Sequence, residues 1–307
     1  MRIALLFLLF LYQHLLAQPI VSSGKIVRLE NFHSQFVDTR NVDVWLPQGY
    51  NTNEQYAVLY MHDGQMLFDS TTTWNHQEWK VDETIARLMQ ADSIRNCIVV
   101  GIWNSGKNRH IDYFPQKPFE SLPAFIQDSI YQAVRSTGAS VFSGKVQSDA
   151  YLKFLVKELK PFIDSAFSVH RDAKNTFIAG SSMGGLISLY AMCEYPDVFG
   201  GVACLSTHWP GIFSLDNNPI PVALMRYLKN HLPSPKNHQL YFDAGTATLD
   251  SLYKPFQQQA DQIVRSKGYH SKQFLSIEFV GADHSEKSWA NRFSIPVTFL
   301  LASQKKK

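Results

Sequence analysis

Ser182 stands in Gly180-Ser181-Ser182-Met183-Gly184, which fits G-x-S-x-G. That spacing presents a serine on a sharp turn between a strand and a helix. The flanks agree with it: Thr176 to Ala179 is a short apolar run, and Leu186 to Tyr195 has helical character. Side chains at 180 and 184 are expected to collide with neighbouring backbone, which is why glycine stands at both. A serine hydroxyl is inert at neutral pH without a base, so the chemistry requires a histidine and an acid farther along. The expected order is serine, acid, histidine. His284 follows the apolar run Leu275 to Val280 across Gly281-Ala282-Asp283 and opens the final helical stretch. It is the predicted base, and His208, His231, His238 and His270 read as surface or loop residues. The acid is expected just after the run Leu240 to Phe242. Asp250, on the loop, is preferred there. Asp243, still on the strand, is the alternative and could brace the loop. Acyl transfer also needs donors for an oxyanion. The backbone N–H of Met183 is one candidate, and that of Gln65, in His62-Asp63-Gly64-Gln65, is the second. His62 and Asp63 lack the further ligands that a metal site requires, so neither metal nor cofactor is expected.

The elements that must hold these residues alternate along the chain. Ile26 to Asn31 and Val42 to Leu46 read as an antiparallel edge pair. Ala57 to Met61, Cys97 to Trp103, Thr176 to Ala179, Val202 to Leu205, Leu240 to Phe242 and Leu275 to Val280 are short and apolar. Such runs fit strands buried on both faces of a helix-covered, mostly parallel sheet. Between them, 150–162 places Tyr151, Phe154, Leu155, Leu159 and Phe162 on one helical face. Helices are also expected over 250–268 and 285–301. The stretch 105–148 has no clean periodicity and carries several glycines and prolines, so it reads as a cap-like functional insertion. With no repeat and no linker, residues 18–307 form one α/β domain.

The chain has 307 residues, with 45% hydrophobic and 18% charged, and a net charge of +3. This composition excludes disordered, collagen-like and coiled-coil classes. The one basic run is Lys305-Lys306-Lys307 at the terminus, so nucleic acid is not an expected partner. Arg2, the apolar run Ile3 to Leu11, and Ala17 before Gln18 read as a secretory leader cleaved after Ala17. The apolar run is broken at Gln13 and His14, too short for a membrane span, and export to the periplasm or medium is expected. Cys97, Cys193 and Cys204 show no C-x-x-C spacing and are read as buried thiols.

These residues resemble the esterase family of the α/β-hydrolase superfamily that holds esterase D-like, feruloyl, acetyl-xylan and enterochelin esterases and the mycolyltransferases. The likeness runs over about residues 25–302, through YAVLYMHDGQMLFD, VGIWNSGKNRHIDYFPQKP, FIAGSSMGGLISLYA, ACLSTHWPG and GADHSEKSW. It implies an α/β-hydrolase fold, with Ser182 and His284 as nucleophile and base and Met183 and Gln65 as oxyanion donors. Many relatives carry the acid three residues after the glycine that ends its strand. That position here is Thr248, which leaves Asp250 as the nearest carboxylate.

The substrate is expected to be a small-molecule or carbohydrate ester. Trp209 is predicted to face it, and Arg109 either meets an anionic group of it or forms an ion pair on the insertion. Three functions fit: a secreted serine carboxylester hydrolase, an acyltransferase using the same acyl-enzyme, and a non-catalytic binding domain on the same fold.

Overall fold

The structure, a computed structural model, describes residues 18–135 and 137–303. The leader read at 1–17 lies outside the described residues. Eight strands form one sheet: β1 (Lys25–Phe32), β2 (Arg40–Leu46), β3 (Ala57–His62), β4 (Cys97–Ile102), β5 (Thr176–Ser181), β6 (Gly201–Leu205), β7 (Gln239–Gly245) and β8 (Phe274–Phe279). Their spatial order is β1-β2-β4-β3-β5-β6-β7-β8. β2 pairs antiparallel with β1 and β4, and every other neighbour pair is parallel.

The central strands β3 to β7 are largely apolar and buried because both faces are covered, whereas β1 and β8 at the two edges are only partly buried. Alternate residues divide between two cores, as the two-residue period of a strand requires. Val58, Tyr60, Ile178, Val202, Leu240 and Phe242 face one. Leu59, Met61, Phe177, Ala179, Ala203 and Tyr241 face the other. The second core is closed by α1 (Val81–Gln90) and by two helices near the C-terminus. Cys97, Cys193 and Cys204 are buried and unpaired.

The first core takes α2 (Arg109–Tyr113), α3 (Gln116–Glu120), α4 (Ala124–Tyr131), α5 (Ser148–Lys153), α6 (Lys160–Ala166), α7 (Met183–Glu194), α8 (Ile220–His231) and α9 (Lys254–Ser266). Three of these, α2 to α4, are built from the segment expected as a cap. Tyr113, Phe114, Phe119 and Phe142 sink into this core, with Phe114 and Phe142 meeting edge-on at 5.4 Å. Part of the 105–148 segment thus packs into the core while much of the rest is exposed, and only Gly106 and Arg109 of it reach the cleft described below.

Two helical readings change in phase. The helix expected over 150–162 passes through a π-helical stretch, Phe154–Leu159, before α6. Each extra residue in a turn rotates the downstream part of the helix by about 100°. Phe162 is therefore 39% exposed, not part of the buried face with Tyr151 and Leu155. The last helix is two, α10 (Glu286–Arg292) and α11 (Ser294–Leu301), with Phe293 between them.

The chain passes from β3 out to β4 and then returns to the far side of β3 as β5. That reversal opens a crevice at the carboxyl ends of β3 and β5, where open α/β sheets bind their ligands. The His62–Gln65 loop leaves one strand there and Ser182 leaves the other. Gly64 lets the loop sit against β4: a Cβ on it would lie 2.4 Å from the Gly101 carbonyl carbon. The positive φ of the turn falls on Asp63, at 57°, not on the glycine. Gly64→Ala is expected to destabilise the fold by about 1–3 kcal/mol, a fall of roughly 3–10 °C in Tm. An unchanged thermal melt would refute this close approach.

Candidate active site

Ser182 joins β5 to α7 at φ 56°, ψ −122°, a strained backbone for a residue with a side chain. The surroundings hold it there. Its N–H donates to the Leu205 carbonyl at 2.9 Å, and its carbonyl accepts from Gly185 N at 3.0 Å and His208 N at 3.2 Å. A Cβ on Gly180 would lie 2.7 Å from the Gly184 carbonyl carbon, so the tight turn needs glycine there. Gly184 differs from expectation. A Cβ there would meet Asp63 Oδ2 and His62 Cβ at 3.4 Å, an ordinary contact. Met183 opens α7, where a backbone N–H has no partner within the helix.

His284 comes from the loop between β8 and α10. Its Nδ1 lies 2.5 Å from Asp250 Oδ1. Asp250 sits in a 3₁₀ turn, Thr248–Leu252, after β7, and is 1% exposed. Its other oxygen accepts from Ser206 Oγ at 2.5 Å and from Gly245 N at 2.6 Å. Burial pushes the carboxyl pKa up. The hydrogen bond and charge of His284, with the Ser206 and Gly245 donors, outweigh that and hold it below the usual carboxylate value. Thr248 has a part in the same geometry, since its Oγ1 accepts from the His284 N–H at 2.9 Å.

Asp243, the alternative acid, ends on a different set of partners. It accepts from Arg292 Nη2 at 3.0 Å, Tyr241 OH at 2.9 Å and Ser206 N at 3.2 Å. Burial raises its pKa, although Arg292 opposes the rise. Arg292 Nη2 and Trp289 Nε1 also donate to Ser206 Oγ, at 2.8 and 3.0 Å. Ser206 has its one proton left for Asp250. Asp243 therefore braces the support of Asp250 and does not contact the imidazole.

On the β3 side, Asp63 accepts from Arg109 Nε and Nη2 at 2.7 and 2.8 Å and from Asn104 Nδ2 at 2.7 Å. Burial raises the Asp63 pKa, and the Arg109 charge and these donors bring it below the usual value. The Arg109 ion pair thus reaches the β3 loop and not the insertion. Gln65 Oε1 accepts from Asn104 N at 3.2 Å, which fixes the side chain of the candidate oxyanion residue.

Ser182, His284, Gln65, Asp63 and Arg109 line one cleft of about 660 Å³. Trp209 is not in it. It is buried, packs edge-on against Phe242 at 5.7 Å and donates to Gln257 Oε1 at 3.0 Å. The tryptophans that do line the cleft are Trp74, Trp79 and Trp289, with Trp289 edge-on to the His284 ring at 5.0 Å. His208 is a second correction: it is buried, and its Nδ1 lies 2.6 Å from the hydroxyl of Tyr253. Burial drives its pKa well below 6.5, and the neighbouring cations add to this. The Tyr253 ring is also edge-on to His284 at 5.8 Å. The one sequence signal for Tyr253 is its place three residues after Asp250, one 3₁₀ turn away.

Among the described residues no group of His, Cys, Asp and Glu could hold a metal ion. No described helix is long and apolar enough to cross a membrane. A depression of about 700 Å³ lies at the amino ends of β6 and β7, lined by Asp172, Lys174 and His238 among others, far from the elbow.

The family model described as Putative esterase matches residues 34–298. The Bacillus subtilis (strain 168) protein named Uncharacterized protein YbbA is 24% identical over 264 residues, 83% of this chain and 89% of that protein. A ferulic acid esterase superposes with a TM-score of 0.63 at 19% identity, covering 91% of this chain and 98% of its own. The enterobactin esterase from Shigella flexneri superposes with a TM-score of 0.58 at 16% identity, over 92% of this chain and 60% of its own. At such identities the solved structures speak to the fold, whereas the family match runs from the turn after β1 to α11. On that match the chain belongs to the Putative esterase family, as a serine esterase of the α/β-hydrolase fold.

Proposed function

We propose that the chain is an exported carboxylester hydrolase that works through a Ser182–His284–Asp250 triad and an acyl-enzyme. The observation that carries this reading is the 2.5 Å contact between His284 Nδ1 and Asp250, in the cleft that Ser182 shares. The carboxylate keeps the proton on Nδ1, so Nε2 is the nitrogen free to take the Ser182 proton. Ser182 then attacks the ester carbonyl. The Met183 and Gln65 amides receive the charge that develops on its oxygen. His284 returns the proton to the leaving alcohol, and water, activated by the same imidazole, releases the acid. No step calls for a cofactor. The likeness to a ferulic acid esterase and an enterobactin esterase supports esters of acylated carbohydrate, phenolic acids or siderophores as the substrate class. The leader ending at Ala17 supports export.

Hydrolysis of p-nitrophenyl acetate is expected to vanish in Ser182→Ala. In Asp250→Asn kcat should fall by on the order of 10⁴-fold with little change in KM, because the imidazole takes the wrong tautomer. Asp243→Asn should lose far less kcat but lower the Tm, since it leaves Arg292 without its buried partner. If Asp243→Asn proved the more damaging to kcat, the acid would be misassigned.

Neither Asp250 nor His208 should contribute an ionisation to the pH profile of kcat/KM over about pH 5–9. Asp250, held below the usual carboxylate value, is already charged, and His208, driven well below 6.5, is already neutral. A rate profile over about pH 5–9 with an ascending limb of slope near two would contradict this.

A further inference from the structure

Tyr253 and His208 form a buried polar pair that the steps proposed above leave unused. Tyr253 is fully buried and His208 is 2% exposed. The hydroxyl of one lies 2.6 Å from Nδ1 of the other, and the same hydroxyl is hydrogen-bonded to the Ser182 side chain. The pair reaches the elbow a second way, because the His208 N–H donates to the Ser182 carbonyl at 3.2 Å. Tyr253 follows the 3₁₀ turn that carries Asp250, and its N–H donates to the Asp250 carbonyl at 3.0 Å. Its ring stands edge-on to His284 at 5.8 Å. One phenol thus touches the candidate nucleophile, flanks the candidate base and is mounted on the turn of the candidate acid.

Stability does not account for the pair. Buried polar side chains cost free energy unless they are hydrogen-bonded, and phenylalanine with leucine would fill such a space without that cost. Nor is the pair fully satisfied. The Ile212 carbonyl lies close to the His208 ring, yet Nε2 is buried and makes no bond of hydrogen-bond geometry. Neither group is suited to carry a proton. Burial, with the Asp250 charge, raises the Tyr253 pKa, so the phenol stays protonated. Burial, with the charges of His110, His284 and Arg109, keeps the His208 imidazole neutral. What remains to the hydroxyl is direction. A phenol both donates and accepts, so it can serve Ser182 and His208 at once. A serine Oγ has several staggered positions, and a bond to a fixed phenol selects one of them.

We propose that Tyr253, held in place by His208, is a positioning residue that fixes the Ser182 Oγ for attack. The inference rests on the esterase reading above, which makes Ser182 the nucleophile to be positioned.

The test follows kcat/KM on p-nitrophenyl acetate and the rate at which a phosphonate labels Ser182. Tyr253→Phe is expected to lower both about tenfold, the effect of one hydrogen bond of ordinary strength. It also leaves His208 Nδ1 unpaired and should lower the Tm. The control is therefore Tyr253→Phe with His208→Leu, which removes both partners together. That double variant should regain most of the lost Tm and none of the lost rate. A rate that recovers with the Tm, or one unchanged in Tyr253→Phe, overturns the positioning role. The pH profile of Tyr253→Phe should superimpose on that of wild type after scaling. A displaced limb would make the phenol a proton carrier and also overturns the role. A wild-type chain that neither hydrolyses the ester nor is labelled at Ser182 overturns the esterase reading instead. The bond is then judged by a double-mutant cycle of Ser182→Ala and Tyr253→Phe on unfolding in urea. Non-additive shifts support it, and additive ones overturn it.

Discussion

A carboxylate removed from water and held against an imidazole sets the conditions that the carboxyl edge of this sheet has to meet. Asp250 is buried, and a buried carboxylate is tolerable only when its lone pairs are taken by donors. His284 supplies one and Ser206 and Gly245 supply the others. Ser206 can donate to Asp250 because Trp289 and Arg292 fill its acceptor sites, and Arg292 is in turn neutralised by Asp243. A single hydrogen bond at the surface of the cleft thus depends on a chain of buried polar groups reaching from β7 to α10.

The strained serine imposes the second condition. Its backbone sits in a region that residues with side chains avoid, and it is held there by a bond to Gly185 in its own helix and by bonds to Leu205 and His208, at the end of β6 and just after it. The parallel sheet makes this possible, since β5 and β6 end side by side and deliver these partners in register. The reversal of strand order at β3 then places the Gln65 loop across from Ser182. The candidate nucleophile, base and oxyanion donors come from the ends of three strands, β5, β8 and β3, so no single local motif assembles the whole set.

The cleft itself is mixed in character. Its floor is aromatic and tied to the core through Trp79 and Trp289, and its rim is lined by amide and charged side chains. Arg109 is held in two-point contact with Asp63, a geometry that fixes both the loop and the guanidinium. His208 and Tyr253 form a buried pair behind the cleft, with the Tyr253 ring edge-on to His284.

Much of this was legible in the sequence wherever the signal is local. The elbow, the short apolar strands and the strand–loop–helix setting of His284 are each written within a few consecutive residues, because backbone sterics and two-residue periodicity act at that range. The sequence also narrowed the acid to two aspartates. Which of them meets the imidazole is a tertiary matter: Asp243 and Asp250 are seven residues apart, and different buried groups, brought from β6, α10 and the His284 loop, surround them. The same reason accounts for Trp209 lying in the core while Trp74 faces the cleft, and for His208 being buried. It accounts as well for Tyr113, Phe114, Phe119 and Phe142 of 105–148 joining the core, where apolar residues without periodicity found partners on distant helices. Burial and pairing are properties of contacts between segments far apart in the chain, and only the folded structure decides them.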